Sequence, residues 1–334
     1  MKRIISEISK ALIMGMLVPG LMLSAAVRLM QPSTYGHAAV TDPTISTQLH
    51  TLPAGDLQPA EYTIELRNGD AVTQIDLEEY LVGVVLAEMP ASFESEALKA
   101  QAVAARTYAM RCCTDGKRHG SNTICTNHAC CQAYISPETY VGTYGTRADI
   151  EKVRSAVYQT AGQVMTYGGE LITAAYFSCS GGTTEDAVAV WGYEIPYLRS
   201  VQSPGEETAP VYTDTVEFTP EQFCAAMAIR LTGKPNTWFG DTVYTDGGGV
   251  SIMTIGGVAY RGTTLRTLLG LRSTAFSVRI SGDKIVFTTS GFGHRVGMSQ
   301  YGADAMAASG STYDEILTHY YSGAELTQYS EKLI

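Results

Sequence analysis

Basic residues are scarce in this chain: 23 Lys and Arg stand against 33 Asp and Glu, for a formal net charge of −10, and nowhere do they form a dense stripe. Without such a stripe nothing neutralises a phosphate backbone, which excludes nucleic acid as a partner. The acidic surplus reads instead as solubility. Tryptophan is rarer still, with 2 residues against 20 tyrosines, so flat aromatic surfaces fall mostly to tyrosine. No internal repeat or low-complexity tract is present. No recognised metal-hydrolase motif occurs, and His294 and His319 are remote from the cysteine-rich segment, which sets a zinc amidase aside. What remains is a chain of 334 residues, long enough for a sizeable core in one large domain or two compact ones.

The N-terminus has its own character. "MKRIISEISK" carries Lys2, Arg3 and Lys10, and "ALIMGMLVPGLMLSAAV" then runs from Ala11 to Val27 without a charge. This run approaches the roughly 17–25 residues that cross a bilayer and exceeds the roughly 7–15 of a signal-peptide core. Pro19 is tolerable in such a helix. Residues 1–30 are therefore expected to be a cytoplasmic tail and an uncleaved transmembrane anchor, with "YGHAA" the place where cleavage would fall. Basic residues before the run put everything after about Arg28 outside the cytoplasm. Residues 31–60, rich in Pro, Ser, Thr and Ala, read as a flexible spacer.

The folded part is expected over residues 61–330. "EYTIELRNGDAVTQIDLEEYL" alternates apolar and polar residues around Asn-Gly-Asp, predicting a hairpin that leads into a helix. Helices follow at about 77–89 and 93–113, separated by Pro90. Beyond residue 160, short β-like runs with Gly turns alternate with helical segments such as "TPEQFCAAMAIRLTG", "TLRTLLGL" and "STYDEILTHYYSGAEL". The fold class is α+β, with helices gathered early and strands later.

On a 3.6-residue period Leu77, Leu81, Val84 and Val85 share one helix face, and Glu88 falls on the same stripe. Desolvation there disfavours the anion and raises the pKa, which suits a general acid near neutral pH. A bland alternative is an ion pair, for which Arg106 on the next helix is available. Glu78 and Glu79 complement the dipole at the helix start and can remain solvated. On the second helix Gln101 and Arg106 are the polar residues able to reach a substrate or Glu88, while its alanines allow close helix packing. Asp76, Glu94, Glu96, Glu185 and Asp186 are candidate second carboxylates.

The 7 cysteines of an exported chain imply disulfides, metal ligands or both. Cys125, His128, Cys130 and Cys131 offer soft ligands within "ICTNHACCQAY", suited to a structural zinc. A disulfide from Cys112 or Cys113 to one of the loop cysteines is the rival, and the residues leave both open. Cys179 is an unlikely nucleophile in its strand-like setting.

Three separated segments, "LEEYLVGVVLAEMPASFESEALKAQAVAARTYAM", "YFSCSGGTTEDAVAVWGYEIPYLRSV" and "GFGHRVGMSQYGADAMA", together resemble the stage II sporulation protein D family, and the resemblance covers most of residues 61–325. It implies a lytic transglycosylase that cleaves the MurNAc–GlcNAc bond of peptide-stripped peptidoglycan strands, with Glu88 as the single acid and base. It also implies a membrane-anchored protein of the engulfing mother cell, working with sporulation proteins P, an amidase, and M. No cofactor is required for that catalysis. Some members hold zinc through a Cys and a ligand five residues later, which implicates Cys125 and Cys130, with His128 or Cys131 as additions. Other relatives enhance cell-wall amidases, so a non-catalytic glycan-binding module is the alternative.

Within these segments, the turn containing Ser178 suits a sugar site, as does the Gly-rich loop carrying His294 ahead of Ser299, Gln300 and Tyr301. Tyr134, Tyr176 and Tyr301 are the tyrosines placed to stack on sugar rings. Arg295 stands where the family commonly has Gly, which bears on the conformation of its loop.

Overall fold

The chain enters as a two-stranded hairpin, β1 (Thr63–Asn68) and β2 (Ala71–Asp76), in which Asn68 pairs with Ala71 and Gly69 takes φ +62° to make the tight reversal. The computed structural model describes residues 62–329. The expected anchor at 1–30 and spacer at 31–60 lie outside the described residues. Among the described residues no helix is long and apolar enough to cross a membrane.

Asp76 ends the hairpin and caps α1 (Leu77–Glu88), accepting from the backbone N–H of Glu78 at 2.9 Å and of Glu79 at 3.2 Å. After the Pro90 break comes α2 (Ser95–Asp115), which ends on Gly116 in the left-handed conformation. Both helices fall within two residues of the expected spans. The stripe Leu77, Leu81, Val84 and Val85 is buried, and α2 runs through the middle of the core with Leu98, Ala102, Ala105 and Ala109 fully inaccessible.

The next elements wrap this pair: β3 (Thr123–Cys125), parallel to β1, then α3 (Pro137–Thr143) and α4 (Arg147–Gln159). A capping box of Thr146 and Asp149 starts α4, which packs on α1 and α2. Strands β4 (Gln163–Tyr167), β5 (Glu170–Leu171) and β6 (Tyr176–Phe177) and the short α5 (Ala187–Trp191) follow.

Residues 213–290 form a second lobe with its own core of Phe223, Met227, Trp238, Leu265 and Phe287. Its elements are β7 (Thr213–Phe218), α6 (Pro220–Met227), β8 (Phe239–Tyr244), β9 (Val250–Ile255), β10 (Val258–Arg261), α7 (Gly262–Leu268), β11 (Phe276–Ser281) and β12 (Lys284–Ser290). They make two three-stranded antiparallel sheets, ordered β10-β9-β8 and β11-β12-β7. The chain then returns to the first core through β13 (Met298–Ser299), α8 (Gln300–Ala308), α9 (Tyr313–Tyr320) and β14 (Glu325–Gln328), with α8 and α9 packed on α2. The α+β class holds. The order "helices early, strands later" does not, because the strand-rich part is a lobe set between two helical stretches of one core.

Two charged residues take different places from those expected. Arg106 is fully buried and forks onto Glu78, with Nε 2.9 Å from Oε1 and Nη2 on Oε2, while its remaining donors reach the carbonyls of Gln163 and Val157 at 3.1 Å each. Arg106 therefore locks α2 to the start of α1 and to α4; it neither reaches a groove nor meets Glu88. Glu78, expected in solvent, is buried by the same pair.

Arg295 answers the question its position raised. It adopts φ +66°, the region glycine enters without strain. Its guanidinium offsets that cost with bonds to the carbonyls of Ser180 at 2.6 Å, Thr183 at 2.7 Å and Gly247 at 2.6 Å, and an ion pair with Glu185 at 3.3 Å. Gly247 belongs to the turn between β8 and β9, so this arginine ties the second lobe to the first.

Candidate functional site

Where α1 stops, the next residues turn away and leave Glu88 facing a cleft of about 760 Å³, in the range of small-molecule and oligosaccharide pockets. The floor comes from Gln132 and Ala133 after the cysteine loop and from the 173–178 segment around β6. The far side comes from Trp191 and Tyr193 after α5, from Arg266 on α7, and from Phe292, Gly293 and His294 in the loop after β12.

Burial pushes Glu88 up from the ordinary carboxylate range to about 7. Three neutral donors act against that shift: the Ala133 N–H at 3.2 Å from Oε1, Gln300 Nε2 at 3.4 Å from Oε2, and the Tyr176 hydroxyl. No charged side chain contributes. Glu88 is thus a carboxyl poised between its two protonation states at neutral pH, with partners ready for the anion. Tyr176 is itself held by Gln132, whose Nε2 donates to its hydroxyl at 2.9 Å, while Gln132 Oε1 accepts from Tyr80 at 3.3 Å. Desolvation and the nearby Glu88 carboxylate push the Tyr176 phenol well above its usual value, so it remains a donor.

His294 is a fixed neutral ring. Burial, with Arg266 nearby, lowers it to about 4. Its Nδ1 accepts from the Val296 N–H at 3.1 Å, which leaves the proton on Nε2. The ring packs against Phe177 at 5.6 Å and Trp191 at 5.8 Å, and Trp191 in turn stacks on Tyr193 at 6.3 Å. Trp191 and Tyr193 form an apolar platform on the cleft wall.

Of the residues singled out from sequence for catalysis or sugar binding, Glu88, Tyr176, Ser178, His294 and Gln300 line the cleft together. The others sit elsewhere. Gln101 is fully buried within α2, its amide without a hydrogen-bond partner among the described residues. Tyr134 stacks on Tyr80 at 5.7 Å, lying over Gly83, where a Cβ would stand 2.3 Å from its ring. Ser299 is buried: it caps α8 by accepting from the Gly302 N–H at 3.2 Å and donates to Glu206. Tyr301 packs edge-on against Phe93 at 5.0 Å.

Glu206 was not anticipated and organises much of the wall from beneath. Its buried carboxylate accepts from Ser180 N–H at 2.9 Å, Ser180 Oγ at 2.6 Å, Gly181 N–H at 3.0 Å, Ser203 Oγ at 2.8 Å and Ser299 Oγ. It thereby joins the turn after β6 to the residue preceding Gln300. None of the candidate second carboxylates lines the cleft: Asp76 caps the far end of α1, Glu94 and Asp186 precede α2 and α5, Glu96 accepts from the Tyr313 N–H at 2.9 Å, and Glu185 pairs with Arg295. Among the described residues Glu88 is the one carboxylate lining the cleft.

The cysteine loop gathers a ligand set that differs from the expected one. His119, Cys125, Cys130 and Cys131 bring their ligand atoms within 4.8 Å of one another, with Cys130 Sγ 3.3 Å from His119 Nε2. His128 instead turns to the cleft. Three thiols and an imidazole fit a structural tetrahedral zinc. None of the seven cysteines is in a disulfide, so the expected alternative link from Cys112 or Cys113 is not formed.

With the geometry in place, the comparisons with known proteins are specific. A family profile described as SpoIID, Stage II sporulation protein, matches residues 66–167, from the first hairpin to β4. The chain is 38% identical to Stage II sporulation protein D of Bacillus subtilis (strain 168), over 87% of its own length and 84% of that protein, and 38% identical to the Bacillus amyloliquefaciens protein of the same name, over 81% and 79%. It is also 32% identical to the Amidase enhancer of Bacillus subtilis (strain 168), over 75% of this chain and 40% of that longer protein. Likeness of this extent, carried through both lobes and the cleft between them, places the chain in the SpoIID family of stage II sporulation proteins.

Proposed function

We propose that the chain is a peptidoglycan lytic transglycosylase in which Glu88 serves as both acid and base. The observation that carries this reading is the solitary Glu88 carboxyl in the cleft, with its pKa raised to about 7 and no second carboxylate beside it. Glycoside hydrolysis ordinarily flanks the bond with two carboxyl groups. Intramolecular attack by the sugar's own hydroxyl needs one.

Protonated Glu88 donates to the glycosidic oxygen between MurNAc and GlcNAc as the C1–O bond breaks. The resulting carboxylate is held by the Ala133 N–H, Gln300 and Tyr176. It then removes the proton of the MurNAc C6 hydroxyl as that oxygen closes on C1. The product is a 1,6-anhydro end; no water is consumed and Glu88 regains its proton. Trp191 and Tyr193 supply a stacking face for a sugar ring. His294, neutral and fixed, supplies shape rather than charge.

In this reading the N-terminal segment anchors the chain in the engulfing mother-cell membrane during sporulation, with the cleft outside the cytoplasm. Its substrate is the glycan strand from which an amidase has removed the stem peptides, and sporulation proteins P and M are its partners. His119, Cys125, Cys130 and Cys131 would hold a zinc ion that cross-links the loop leading to Gln132 and Ala133.

The likeness to the Amidase enhancer favours a second reading, a glycan-binding module that assists an amidase without cutting. Mass spectrometry of peptide-free glycan incubated with the protein separates the two. New 1,6-anhydro ends, lost in Glu88→Gln with the fold retained, support the enzyme. Binding without new ends supports the module.

A further inference from the structure

The cleft is positive in a strongly acidic protein. Two arginines, Arg118 and Arg266, line it, and the single carboxyl there is neutral in its acid form. Arg118 is exposed and donates to the Tyr108 hydroxyl at 3.0 Å. Arg266 is different. It is half-buried on α7, its pKa is lowered by burial alone, and among the described residues it has no side-chain hydrogen bond and no carboxylate partner. Among the described residues the two fully buried arginines are each matched to an acid, Arg106 to Glu78 and Arg295 to Glu185, and half-buried Arg111 donates to the Leu171 carbonyl. A half-buried guanidinium facing a cleft without a counter-ion is a site for an anion that arrives with the ligand, since the fork geometry favours carboxylate.

A glycan strand offers few anions. Its pyranose rings and N-acetyl groups are neutral, and the one ionisable group of the bare strand is the carboxyl of the lactyl substituent on MurNAc. That group is an amide where a stem peptide is attached and a free carboxylate where it has been removed. We propose that Arg266 is a specificity-determining residue that binds the free lactyl carboxylate, so that the second lobe reads whether a strand has been stripped. The proposal rests on the cleft being a glycan site, as proposed above. His294, which lies between Arg266 and the 176–178 segment, carries no competing charge. Among the described residues no hydrogen bond or ion pair joins Arg266 to Glu88, whose partners are the Ala133 N–H, Gln300 and Tyr176.

The test uses the full chain carrying Glu88→Gln, so that strands bind without turnover. Two ligands are compared: GlcNAc–MurNAc oligomers with free lactyl carboxylates, and the same oligomers capped as methylamides. Tighter binding of the free acid by about 10- to 100-fold is expected for one charge-assisted pair. Adding Arg266→Gln should bring that ratio to within about twofold of one, while Arg266→Lys should retain part of it. Raising the salt concentration should shrink the ratio without Arg266 being touched, a readout independent of any folding defect. A ratio near one in the Glu88→Gln chain, or a ratio unchanged by Arg266→Gln, overturns the proposal. Turnover separates this outcome from the fate of the lytic reading. If the chain without these substitutions releases no anhydro ends but the ratio collapses on Arg266→Gln, the lytic reading fails and the anion site stands. If anhydro ends form and the ratio ignores Arg266, the reverse holds.

Discussion

Gln300 reaches Glu88 across 212 residues of sequence, its amide Nε2 lying 3.4 Å from Oε2 of the carboxyl. This bond favours the anion, so its loss raises the Glu88 pKa further above about 7. The proposed acid step needs protonated Glu88, so the rate should fall as pH rises through that value. In Gln300→Ala the alkaline limb of the kcat/KM profile should move to higher pH by a fraction of a unit, with a lower maximum rate because the return of the proton loses a donor. A limb that stays in place would show that Gln300 does not act on this carboxyl.

The raised pKa also has a stability signature. Glu88 titrates near 4.5 when unfolded and near 7 when folded, so its neutral form is favoured in the fold. The matching stability is present in full below about 4.5 and is lost as pH rises through about 7. Glu88→Gln should therefore match the unsubstituted chain in denaturant titrations at low pH and exceed it above pH 7, by on the order of 1–3 kcal/mol. Equal stability at all pH values would contradict the burial assigned to this side chain.

The Arg106–Glu78 pair predicts the opposite kind of effect. Arg106→Ala leaves a buried carboxylate without its cation, a loss of about 3–5 kcal/mol. Thermal denaturation should show it plainly. At temperatures where the variant is folded, KM should change little, because neither residue touches the cleft.

Removal of metal should act on the fold before the chemistry. The four-ligand set predicts one zinc per chain by elemental analysis, and chelation should lower Tm by several degrees. Cys130→Ser should do the same. Because the loop delivers the Ala133 N–H to Glu88, loss of zinc should reduce the rate partially while leaving the anhydro product unchanged. A complete loss of activity with no change in Tm would assign the metal to the reaction itself.

Trp191→Ala should raise KM by about tenfold with a smaller change in kcat, since a stacking face binds ground and transition states alike. The measurement is steady-state kinetics on peptide-free strands.

What could be read from sequence was what local periodicity and turn chemistry determine. Asn68-Gly69-Asp70 and the Leu81–Val84–Val85 stripe announced the hairpin, α1 and the placing of Glu88 on a desolvated face. Partners across the fold were not legible. Helical spacing placed Arg106 on a polar face without saying that the start of α1, rather than its end, lies opposite. Cys125, Cys130 and Cys131 gather as their spacing suggested, but the histidine beside them was not legible for a similar reason: the irregular loop brings His119, before β3, into the cluster and turns His128 away. Arg266 left no signal at all, because one arginine in "TLRTLLGL" looks like any solvated residue on an amphipathic helix. Glu206 was hidden likewise, its donors coming from Ser203 close by and from two distant segments, 180–181 and Ser299.

The second lobe leaves and rejoins the first at neighbouring points, since Thr213 and Ser290 are paired in register and the Gly291 N–H donates to the Tyr212 carbonyl at 2.7 Å. A segment with its two ends so close can change length and content while the frame around it keeps its closure. Glu88 belongs to that frame and Arg266 to the exchangeable part. On the proposed reading, divergence within residues 213–290 can therefore alter which strands are accepted without rebuilding the carboxyl proposed to act on them, and relatives that differ mainly in this lobe would share a reaction centre and part company over ligands.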